Sequence, residues 1–100
     1  MSVNISQLLN EMESNGTVII RKCSSIPNLV SEISTAISDG RTVAFIPGKR
    51  SLRHFFNSQG FVSAINEMIT KIVGAEVVLP PGLYDGQHLV ILRPKVDTVK

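Results

Sequence analysis

Two short runs of β-branched and aromatic residues, Thr17-Val18-Ile19-Ile20-Arg21-Lys22-Cys23 and Thr42-Val43-Ala44-Phe45-Ile46, are separated by a single amphipathic stripe. Nothing else in the chain restricts its fold as much. Residues of this kind suit a pleated, half-buried surface. The stripe between them, Ile26, Val30, Ile33 and Ile37, recurs at helical intervals. Strand, helix and strand in that order favour a right-handed crossover with the helix lying on the sheet. Ser24 or Ser25 is placed to cap this helix. Pro27 suits its first turn, where the missing N–H has no intrahelical partner anyway, and Asp39-Gly40 stops it.

The flanking segments extend the pattern. Ile5, Leu8, Leu9 and Met12 stand at i, i+3, i+4 and i+7, which predicts a short helix with Asn4 as its cap and Ser14-Asn15-Gly16 as its end. Pro47-Gly48 closes the second strand. The stretch from Lys49 to Gly60 is ambiguous: one or two helical turns around Leu52, Phe55 and Phe56, broken by Asn57-Ser58-Gln59-Gly60. Residues 61–73 carry Val62, Ile65, Ile69 and Ile72 on one stripe, with Gly74 as the stop. Glu76–Leu79 and His88–Leu92 read as strands, and Pro80-Pro81-Gly82-Leu83-Tyr84-Asp85-Gly86 as turn chemistry joining them into an antiparallel hairpin.

The element order is therefore α-β-α-β-α-β-β. It implies an α/β chain (an α+β sandwich) with a four-stranded mixed sheet and helices packed on one face. Residues 1–16 form a short N-terminal helix and 17–100 a single core domain. A sheet covered on one face needs a cover for the other. A second copy is the economical one, so a dimer is expected, sheet-to-sheet or edge-to-edge.

Composition agrees with self-association. Of 100 residues, 43% are hydrophobic and 18% charged, more apolar and less charged than an average soluble domain. The net charge of +2 names no partner. Residues 41–54, however, hold Arg41, Lys49, Arg50 and Arg53 with no acid. Cys23 is the lone cysteine, so no intramolecular disulfide forms, and its place at the end of an apolar strand marks it as a buried structural thiol. No run approaches the roughly 20 apolar residues of a membrane span, and a cytoplasmic location is expected.

Catalytic spacing is missing. His54 and His88 have no nucleophile or carboxylate at a meaningful interval. No C-x-x-C or H-x-x-x-H pair and no cluster of acids offers a metal site. Gly48-Lys49 follows a strand as in a phosphate-binding loop, but Val43 stands where the upstream glycine belongs and Arg50 where Ser or Thr belongs. These absences point away from an enzyme and from a cofactor. Basic residues beside aromatics between Gly48 and Phe56 can neutralise phosphates and stack on bases. Leu52, Phe55 and Phe56 equally sit at the spacing of core anchors.

Several stretches resemble the SepF family, cell-division proteins that link FtsZ to the membrane. Val18-Ile19-Ile20-Arg21 with the helix ending in Ser38-Asp39-Gly40-Arg41 and the strand Thr42-Val43-Ala44-Phe45 is similar to its first strand–helix–strand unit. Met68-Ile69-Thr70-Lys71-Ile72-Val73-Gly74-Ala75-Glu76-Val77 resembles the end of its second core helix and the next strand, and Leu89-Val90-Ile91-Leu92-Arg93-Pro94-Lys95-Val96 its last strand. The resemblance implies a homodimer that assembles further at the septum and holds the FtsZ C-terminal tail. It places Gly74 at the subunit contact. Asn66, Thr70 and Lys71, on the polar side of the 61–73 helix, become the partner-binding residues. The N-terminal helix is short and acidic, unlike the basic amphipathic anchor of that family, so no direct membrane insertion is expected. The alternative is an Alba-like nucleic-acid-binding dimer of similar element order, which would use Lys49, Arg50 and Arg53. Its basic hairpin is lacking, because residues 80–87 hold Asp85 and neither Lys nor Arg.

Overall fold

A computed structural model describes residues 5–22, 24–48, 53, 55 and 57–95. Its elements are α1 (Ile5–Ser14), β1 (Val18–Ile20), α2 (Ile26–Ser38), β2 (Val43–Phe45), α3 (Ser58–Ile69), β3 (Ala75–Tyr84) and β4 (Gln87–Pro94). The expected α/β order and four-stranded mixed sheet are present, with strands arranged β1-β2-β4-β3. β1 and β2 run parallel, as the crossover through α2 requires. β4 lies antiparallel to both β2 and β3. Cys23, Asn4, Lys49, Arg50, Leu52, His54 and Phe56 fall outside the described residues.

α2 begins as its sequence dictates. Ser25 is extended and its hydroxyl accepts from the Asn28 N–H at 3.3 Å, with Pro27 in the first turn. Asp39 caps the other end, and Gly40 turns the chain with φ at +79°. α3 departs from expectation. It runs from 58 to 69 rather than from 61 to 73, because Asn57 is a cap and not a break: its side chain accepts from the Gly60 N–H at 2.7 Å. Gly60 is a helical residue made necessary by its neighbour, since a Cβ there would run into the backbone carbonyl of Phe55. At the far end α3 stops at Thr70, and Gly74 belongs to the following turn rather than to the helix cap.

The hairpin also differs. Pro80, Pro81 and Gly82 lie inside β3, and the connection is only Asp85-Gly86, flanked by the Tyr84–Gln87 pair. Both turn residues have positive φ, +52° and +78°, the pattern of a two-residue type I′ turn. Prolines are tolerated in β3 because it is an edge strand. They coincide with register shifts between Val77 and Leu79 and between Leu79 and Gly82. The Tyr84 hydroxyl donates to the Pro80 carbonyl at 2.6 Å and pins this irregular stretch.

The sheet separates two cores. Alternate strand residues Val43, Phe45, Val90 and Leu92 face α2 and α3, where they meet Leu29, Ile33, Ile65 and Met68. Phe45, Phe55 and Phe61 form its aromatic centre, with the Phe55 and Phe61 rings edge-on at 5.3 Å. Ala44, Ile46, Leu89 and Ile91 face the other way and are joined by Leu9 of α1. The sequence predicts all helices on one face, and the structure corrects it: α2 and α3 take one side and α1 the other. A helix stripe shows that a helix has an apolar side, not which face of a sheet will receive it. Leu9, 5% exposed, anchors α1 in this second cluster.

Candidate functional site

A groove of about 530 Å³ lies on the helical face between the start of α2 and the end of α3. Ile26, Pro27 and Val30 form one wall, and Ala64, Glu67, Met68 and Lys71 the other. Ala64, Glu67 and Met68 stand at i, i+3 and i+4 on one stripe of α3, and Lys71 follows in the turn just past its end. Met68 is buried and supplies the floor, while the exposed Glu67 and Lys71 stand at the rim with opposite charges. Lys71, expected on partner-binding grounds, therefore lines a groove. Asn66 and Thr70 are exposed beside it without lining it, and the Thr70 hydroxyl is turned to the Glu67 carbonyl at 2.6 Å. The α2 wall was not visible in the sequence, where Ile26 and Val30 look like ordinary core stripe.

A second surface runs along β3. Val73, Val77, Val78 and Leu83 are 94%, 42%, 47% and 56% exposed, and all lie on the edge strand or in the turn leading into it. Gly74 sits between Val73 and β3 with φ at +81°, and a Cβ there would meet nothing within 4 Å. Its need for glycine is conformational within the chain. Its carbonyl accepts from the Lys95 N–H at 2.6 Å, which ties this turn to the end of β4. The single charged side chain of β3, Glu76, accepts from Arg93 Nε at 2.8 Å across the hairpin. Both partners are well exposed, so the pair adds little to stability.

Of the basic stretch, Lys49 and Arg50 lie outside the described residues, and Arg53 is exposed in a turn. Phe55 is buried at 1% exposure, which settles its role as a core anchor. His88 is half-buried, its ring stands edge-on to Phe61 at 5.2 Å, and its Nε2 lies 2.8 Å from the hydroxyl oxygen of Ser58. Ser58 is the first residue of α3, thirty positions away in the chain, so no local spacing could reveal the pair. Among the described residues no group of three or more His, Cys, Asp or Glu side chains is placed to hold a metal ion. No helix among them is long and apolar enough to cross a membrane.

No protein-family model matches the chain, and no curated protein matches it.

Proposed function

We propose that the protein is a non-enzymatic assembly and adaptor module of the SepF kind, which self-associates along β3 and holds a peptide segment in the α2–α3 groove. The observation that carries this reading is the group of exposed apolar side chains on β3 and in the turn before it. Among the described residues the four exposed large hydrophobics all fall on one border of the sheet or in the turn leading into it. A two-fold contact brings the same patch of each copy together, so an apolar row meets an apolar row. Glu76, the charge that such a contact would duplicate, already has Arg93 as its partner.

The groove suits the second half of the role. An apolar floor with one acidic and one basic side chain at its rim fits an amphipathic segment, bound by its apolar anchors and oriented by its charges. The FtsZ C-terminal tail is the segment that the resemblance nominates. Cytoplasmic cell-division proteins would be its setting.

Sedimentation of the parent chain and of Val77→Lys tests the first half. The parent is expected at twice the monomer mass, with the variant dissociating at least tenfold more readily, roughly 1.4 kcal/mol. A parent that sediments as a monomer refutes self-association. Val73→Lys is the companion change, preferable to one at Gly74, where any side chain is strained by the positive φ. Calorimetry with an FtsZ tail peptide tests the second half: saturable heat weakened by Lys71→Glu is expected, and no heat at high peptide concentration refutes this partner.

A further inference from the structure

We propose that the free edge of β1 and the groove beside it against α2 bind an extended peptide of a partner protein, with apolar side chains at alternate positions and a Lys or Arg at its amino end. β1 is the border of the sheet opposite β3. The Val18 N–H donates to the Thr42 carbonyl at 2.8 Å, and the Ile20 carbonyl accepts from the Ile46 N–H at 2.9 Å. Both residues therefore turn their backbone groups toward β2. Successive residues of a strand direct these groups to opposite sides, so Ile19, between them, directs its N–H and C=O outward. Among the described residues no strand pairs with that side. An unpaired donor and acceptor on a border strand are a template for one more strand.

The side chains beside this edge select the peptide. Val18 and Ile20 belong to the cluster under α2, whereas Ile19 packs on the opposite face. With the buried Ala36 they give an apolar floor to a groove of about 320 Å³, which shares no residue with the α2–α3 groove. Its exposed charges are Glu32 and Asp39 of the α2 side and Arg41 just beyond. An added strand takes affinity from main-chain bonds and specificity from alternate side chains, here apolar ones over Val18 and Ile20. α2 returns along β1, so Asp39 and Arg41 stand near Val18 and Glu32 nearer Ile20. Arg41 offsets Asp39, while Glu32 has no cation beside it in the groove. Among the described residues neither acid is in an ion pair. Antiparallel pairing, the more stable kind, sets the amino end of the peptide at Ile20 and its cation against Glu32. A border of three residues gives a second copy little backbone to pair with, whereas a peptide pairs with Ile19 and fills the groove as well.

The test is a ¹H–¹⁵N titration of the full chain with acetyl-Lys-Thr-Val-Thr-Val-amide, whose lysine and valines share one face. Saturable shifts of the Ile19, Glu32 and Ala36 amides are expected, with slower hydrogen exchange at Ile19. A peptide with proline as its fourth residue, opposite Ile19, lacks the N–H that the Ile19 carbonyl accepts and should bind at least tenfold more weakly. Replacing the peptide's lysine with glutamate should weaken binding about threefold, the size of an exposed ion pair. Glu32→Lys should reverse that preference, and Glu11→Lys, the same charge change on the other face of the sheet, should leave it as in the parent. No shift at Ile19 with peptide in large excess would overturn the proposal. So would equal binding of the proline peptide, or a charge preference that Glu32→Lys does not reverse. Protection of the Ile19 amide that rises with the concentration of the chain alone would assign this edge to a second copy and also overturn it.

Discussion

Replacing Gly60 with alanine should destabilise the protein, although helix propensity alone argues the reverse. In a helix interior alanine is favoured over glycine by about 1 kcal/mol. At this position, however, the added Cβ runs into the Phe55 carbonyl. That oxygen is backbone and accepts the Asn57 N–H at 2.7 Å, and the Phe55 ring is buried at 1% exposure against Phe45 and Phe61. It has no free rotor with which to move aside. Forcing a methyl group into a packed site costs about 1–3 kcal/mol, and an immovable obstacle places the cost at the upper end. Subtracting the propensity gain leaves a net loss of about 2 kcal/mol. In a domain of this size that lowers the melting temperature by roughly 8–16 °C. Thermal and urea unfolding of parent and variant measure it directly. The same shift should pull the start of α3 away from β4, so the contact between Ser58 and His88 should loosen in the NMR spectra of the variant. A Gly60→Ala protein that melts at or above the parent would refute the reasoning and return Gly60 to the status of an ordinary surface glycine.

Three further changes probe other parts of the fold. Ser25→Ala removes the cap of α2 and should cost about 1 kcal/mol in urea unfolding, with no change in the binding of any ligand at the α2–α3 groove. Leu9→Ala empties the anchor of α1 and should cost about 2–4 kcal/mol. Hydrogen exchange should then show α1 opening while α2 and α3 stay protected, since they share no core cluster with Leu9. Glu76→Gln should change stability by less than about 0.5 kcal/mol, because an exposed ion pair gains little over its solvated partners; a larger loss would show that this pair has a role in ordering the edge strand.

What could be read in the sequence was what local spacing encodes. The β1–α2–β2 unit announces itself through two β-branched runs, a stripe, a serine cap and an Asp-Gly stop, each satisfied by neighbours a few residues away. The misreadings arose where a distant group decides. Gly60 looks like a breaker until the Phe55 carbonyl is placed against it. Pro80-Pro81-Gly82 looks like a turn until β3 is known to be an edge strand, where a missing N–H costs the sheet no ladder bond. α1 lies on the side of the sheet that carries Ala44, Ile46, Leu89 and Ile91, a clustering of distant segments that no helical stripe contains. The sites divide in the same way. The place of Lys71 beside the polar side of a helix is legible in the sequence, whereas the α2 wall of its groove and the meeting of Ser58 with His88 arise only when separate segments fold together.

The two borders of the sheet are unequal, and this limits how such a molecule can assemble. β1 offers three residues, while β3 offers ten, with the apolar row upon it. The longer border is interrupted by bulges and by Pro80 and Pro81, which lack N–H donors, so a neighbour must be gripped by side chains more than by continued backbone pairing. If β3 is the contact we propose, a protomer has one adhesive border and a valence of one: joined two-fold to its like, it is used up. A pair of this kind is a closed particle, and any filament built from such pairs has to be linked through a different surface. Whatever occupies the α2–α3 groove would then act as the crosslink, so that growth of the assembly is set by the supply of that second component and not by the concentration of this chain alone.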